Sequence, residues 1–79
     1  MVVLEKQNDK NGIVLYHYYP NGGNEYGYGV IAIDTKTGEI GIEKEDDCKH
    51  FWYLDHAFSA VRDFVQNMEF PDKYRVIWC

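Results

Sequence analysis

Four isoleucines bracket the segment Asp34-Thr35-Lys36-Thr37-Gly38: Ile31 and Ile33 precede it, Ile40 and Ile42 follow it. The second flank, Glu39 to Lys44, alternates polar with apolar residues, the period of a strand with one face in a core. Gly38 can take the positive φ that closes a short hairpin. Pairing Asp34 with Glu39 sets Ile33 opposite Ile40 and Ile31 opposite Ile42, so that all four share one face. A slip of one residue in the pairing would send one strand's isoleucines to solvent, and burial therefore selects this register. A chain built around this hairpin is a sheet with one covered side.

The neighbouring segments extend that sheet. Ile13 to Tyr19 is rich in β-branched and aromatic residues and ends at Pro20-Asn21-Gly22-Gly23-Asn24, the composition of a strand followed by a loop. Tyr26 to Ile33 reads as the next strand. If Tyr19 faces Tyr26, then Val14, Tyr16 and Tyr18 join the isoleucine face beside Gly27 and Gly29, whose missing side chains leave room for a bulky neighbour. That neighbour is a helix. Leu54, Phe58, Val61, Val65 and Met68 recur at steps of four and three, a single apolar stripe with Phe58 at its core. Asp55 or Asp47 is a candidate cap, and Pro71 ends the helix because the residue before proline avoids helical dihedrals. Tyr74 to Trp78 reads as a last short strand, and Val2 to Glu5 is a further candidate at the start. The expected fold class is α+β. A three-stranded antiparallel meander plus a C-terminal strand carries one helix on one face, in a single domain over residues 1–79.

Composition narrows the function classes. With 46% hydrophobic and 16% aromatic residues among 79, the chain has the apolar material to form a core. Thirteen acids against eight bases give a net charge of −5. The bases are scattered singly, so a nucleic-acid backbone is repelled and nucleic acid is not an expected partner. The start of the chain does not read as a signal peptide, and no window approaches the ~20 apolar residues of a membrane span. Cys48 and Cys79 do not form a disulfide framework. These features point to a cytoplasmic protein with reduced thiols and no membrane partner.

The stretch Glu43 to His56 holds five carboxylates, Cys48, His50 and His56. A closed zinc site needs ligand pairs at short spacing in both halves, and the second pair is missing here. Acids crowding Cys48 would raise the pKa of its thiol, the opposite of what a nucleophile needs. Asp55 and His56 are helix neighbours pointing about 100° apart, so they make no orienting dyad. Their plainer role is the solvated end of a strand and the acidic entry to a helix. Gly22-Gly23 and Tyr26-Gly27-Tyr28-Gly29 precede a strand, whereas a phosphate cradle precedes a helix. No catalytic residue, metal ligand or cofactor site is expected.

One feature exceeds what a fold alone requires. With the helix on one face, the other face presents Ile13, Leu15, His17, Tyr19, Tyr26, Tyr28 and Val30, rimmed by Glu25, Glu39 and Glu43. Sheet faces in water normally alternate toward polar residues, and a contiguous apolar patch marks an interaction surface. The expected function is non-catalytic protein–protein contact through this face, as a homodimer, an adaptor or an inhibitor of a basic partner. The alternative is a small-molecule or enzymatic site between helix and sheet, lined by Trp52, Tyr16 and Tyr18.

Overall fold

Asn11 and Gly12 both hold positive φ, 58° and 79°, the pair of dihedrals that a two-residue hairpin turn demands. They join β1 (Val2–Lys10) to β2 (Ile13–Pro20). The structure, a computed structural model, describes residues 1–48 and 51–78. It continues with β3 (Gly29–Asp34), β4 (Ile40–Lys44), α1 (Trp52–Asn67) and β5 (Lys73–Val76). All strand pairs are antiparallel, in the order β4-β3-β2-β1-β5. Four strands meander, and α1 then crosses one face to deliver β5 beside β1. The fold is α+β, a five-stranded sheet with one helix packed against it.

The isoleucine hairpin has the expected register: Ile33 pairs with Ile40 and Ile31 with Ile42. Asp34 builds the turn, accepting hydrogen bonds at Oδ1 from the N–H of Lys36 (2.9 Å) and Thr37 (3.3 Å), while Gly38 takes φ 80°. The β2–β3 register differs from expectation by two residues. Tyr18 pairs with Gly29 rather than Gly27, and β3 starts at Gly29. A two-residue shift keeps every side chain on its face. Tyr18 decides it, because its ring lies across Gly29 so closely that a Cβ there would collide with Cε1 and Cζ. The bulky neighbour at this glycine is therefore a tyrosine of the adjacent strand.

Val2, Leu4, Val14, Tyr16, Tyr18, Ile31 and Ile33 face the helix and are buried. From α1 they meet Leu54, Ala57, Ala60, Val61 and Phe64. The buried stripe thus differs from the one expected. Phe58 and Val65 flank it half-buried, and Met68 is 61% exposed. Ala57 and Ala60 explain the rotation, since small side chains let the helix approach the sheet while Phe64 fills the space beyond. The Phe64 ring sits 5.4 Å from that of Tyr16 and 5.1 Å from that of Tyr74, edge-on. Met68 ends the helix in the left-handed region (φ 53°), with the N–H of Met68 and Glu69 closing on the carbonyls of Val65 and Phe64. At the other end Phe51 occupies the cap position without a side-chain bond, so neither Asp55 nor Asp47 caps the helix.

A bulge between Lys6 and Asn8 turns β1. Lys6 Nζ then reaches the Phe70 carbonyl (3.0 Å) and Asp72 (3.1 Å), pinning the connection into β5, and Tyr16 donates its hydroxyl to the Pro71 carbonyl at 2.6 Å.

Tyr18 also anchors the segment after β4. Its hydroxyl accepts from the Asp46 N–H (3.1 Å) and donates to Asp46 Oδ1 (3.4 Å), and burial pushes its pKa up to about 12. Asp46 Oδ2 is buried without a hydrogen-bond partner among the described residues. Burial raises the Asp46 pKa, against the opposing pull of its bonds to Tyr18 and backbone N–H groups. An acid whose folded pKa is raised binds its proton more tightly when folded. Its contribution therefore grows as pH falls through the raised value toward the ordinary carboxylate range, and is lost as pH rises. Asp46→Asn should be more stable than wild type at neutral pH, with the gap closing as pH falls into that range. Urea melts at a series of pH values measure this, and a variant less stable than wild type at neutral pH would contradict it.

Candidate functional site

Residues paired directly across strands share a face, so the register defines the side of the sheet away from α1. One row runs Lys73–Glu5–His17–Val30–Lys44, and Arg75–Val3–Tyr19 lies beyond it. On the other side follow Asn8–Leu15–Ala32–Gly41 and then Lys10–Ile13–Asp34. Leu15 and His17 occupy the centre, on the middle strand. The irregularity between Val30 and Ile31 brings Lys44 to this side as well as Glu43.

Six of the seven residues expected here are on this face. His17 and Tyr28 stack with centroids 4.4 Å apart and planes 18° from parallel. Tyr19 completes the cluster, 6.0 Å from Tyr28 and 6.2 Å from His17, with its hydroxyl 3.3 Å from His17 Nδ1. Lys44 Nζ sits 4.5 Å from the Tyr28 centroid and donates to the Tyr28 carbonyl at 2.6 Å. Leu15 and Val30 are half-buried beside the rings, and Ile13 is 39% exposed at the opposite end of β2. Burial lowers the His17 pKa, outweighing Glu5 and reinforced by Lys44. At neutral pH the ring is an uncharged aromatic in an apolar cluster.

Tyr26 is a correction. It packs 6.0 Å from Tyr53 of the helix, on the other side of the molecule. Gly27, at φ 68°, breaks the alternation that would have carried Tyr26 to the outer face, and the Asp47 carboxylate lies against it where a side chain would otherwise stand. Val3, Glu5, Lys44, Lys73 and Arg75 belong to the face and were not expected there. The Asn11-Gly12 pair was the available signal for the strand that contributes Val3 and Glu5.

The other candidates take structural places. Tyr16 and Tyr18 are completely buried, so they line no pocket with Trp52, itself 58% exposed. His56 stacks on Trp78 at 3.8 Å, and Trp78 packs edge-on to Tyr53. Cys48 is half-buried with a free thiol. His50 and Cys79 lie outside the described residues. Among the described residues no three His, Cys, Asp or Glu side chains gather as a metal site, and no helix is long and apolar enough to cross a membrane. Open grooves occur beside Ile42, Leu54 and Phe58, and beside Phe64, Phe70 and Tyr74. Compared with known protein families, curated proteins and solved structures, the chain matches none.

Proposed function

We propose that the protein is a non-catalytic protein–protein interaction module that docks through its outer sheet face, as a homodimer or as an adaptor. The observation that carries this reading is the cluster of Leu15, His17, Tyr19, Tyr28 and Val30, which no element among the described residues covers. One helix covers one side of a sheet, and here it covers the side of Tyr16 and Tyr18. Tyrosine and neutral histidine suit the uncovered side, because each buries a ring while its polar atom meets water or a partner. Nuclear magnetic resonance spectra recorded from micromolar to millimolar concentration test the homodimer form. Concentration-dependent shifts should map to His17, Tyr19, Tyr28 and their strand neighbours. Shifts confined to the grooves beside Phe58 or Phe64 would move the interaction surface to the helix side.

A further inference from the structure

Among the described residues, four acids and four bases share the outer face: Glu5, Asp34, Glu39 and Glu43 against Lys10, Lys44, Lys73 and Arg75. The described charges of the face thus balance although the chain carries −5. A second copy meets no net repulsion there, whereas elsewhere two acidic surfaces would oppose each other.

The charges are also sorted. Asp34, Glu39 and Glu43 surround one shallow depression with Ile13 and Ala32, at the β4 edge and the Ile13 end of β2. Lys73 and Arg75 border another with Val3, at the β5 edge and the Tyr19 end. The Lys73–Glu5 ion pair, at 3.6 Å and exposed, offsets part of the second corner and leaves Arg75 free of an ion-pair partner among the described residues. The acidic and basic corners are diagonally opposite, with Leu15 and His17 between them.

Resting on the reading above, we propose that the occupant of this face is a second copy of the chain, docked about a two-fold axis along the other diagonal. That axis carries the acidic corner onto the partner's basic corner, twice per dimer, and leaves Leu15 and His17 near the axis. The two sheets then cross near a right angle, one of the two ways in which sheets pack face to face. An axis parallel to the strands would give aligned sheets, but it sets Lys44 toward Lys73 and Arg75 and turns Glu39 toward Lys10. Area supports contact out to the corners. Five strands about 4.8 Å apart and four rows about 6.8 Å apart span roughly 600 Å². Two such faces bury on the order of 1,200 Å², the low end of a standard interface, so little of the face can be spared. Rim charges of this kind fix orientation more than they add affinity.

Charge reversals at exposed positions separate the geometries. Glu39→Lys and Arg75→Glu, each alone, should weaken self-association about tenfold in sedimentation equilibrium, because both symmetric contacts become like-charged. An equimolar mixture of the two should recover wild-type affinity within about twofold, since a heterodimer holds one native and one inverted pair. Circular dichroism should show all variants folded. Recovery of Glu39→Lys by Lys10→Glu instead, or no recovery in the mixture, overturns the diagonal axis. Wild-type association that ignores all three changes also overturns it while leaving the interaction face standing. A wild type that does not self-associate overturns the second copy as occupant and the homodimer form of the reading together.

Discussion

Phe64→Ala should leave the protein barely folded. The ring is held between Tyr16 and Tyr74 and fills the space that Ala57 and Ala60 leave under the helix. Removing a buried phenylalanine costs about 3–5 kcal/mol, from lost transfer free energy and the cavity left behind. A domain of this size has roughly 5–10 kcal/mol in total, so the loss is a large share of it. Phe58→Ala is the informative companion. Phe58 lies half-buried at an open groove with Ile42 and Leu54, where solvent can fill the space, and its loss should cost less than about 2 kcal/mol. Urea melts of the two variants should rank them in that order. The reverse order would mean that the helix presents Phe58 to the sheet, as the simple four-and-three periodicity implies.

That contrast shows where sequence patterns are informative. The isoleucine hairpin was legible because alternation, a glycine turn and burial all select one register, and Ile33 does pair with Ile40. The helix was legible as an element, but its rotation was not. Periodicity weights large apolar residues, whereas the approach of helix to sheet is set by Ala57 and Ala60, which score weakly in any hydrophobic stripe. The second half of β1 carries no hydrophobic signal because Gln7 to Lys10 is polar; there the Asn11-Gly12 turn, not hydrophobicity, holds the pairing. The outer face was mostly legible from the doubly apolar β2. Alternation alone does not place Tyr26, because one residue of positive φ, Gly27, ends the alternation ahead of β3. Glu39 and Glu43 of the acidic corner were legible as a rim of that face, whereas the basic corner was out of reach, since it depends on β5 lying beside β1, a pairing of residues about seventy positions apart.

The central claim is that the outer sheet face binds, and Leu15 tests it most directly. Leu15 sits on the middle strand between Asn8 and Ala32, half-buried, and points away from the core formed by Val14 and Tyr16. A glutamate there can reach water in the monomer, so folding should survive. In a two-fold contact it would place two like charges close together in a desolvated centre, and association should be lost. Sedimentation equilibrium across concentrations is the measurement. Wild type should be dimeric at micromolar concentration and Leu15→Glu should be a folded monomer. A wild type that stays monomeric at millimolar concentration, or a Leu15→Glu variant that dimerises as wild type does, would contradict self-association through this face.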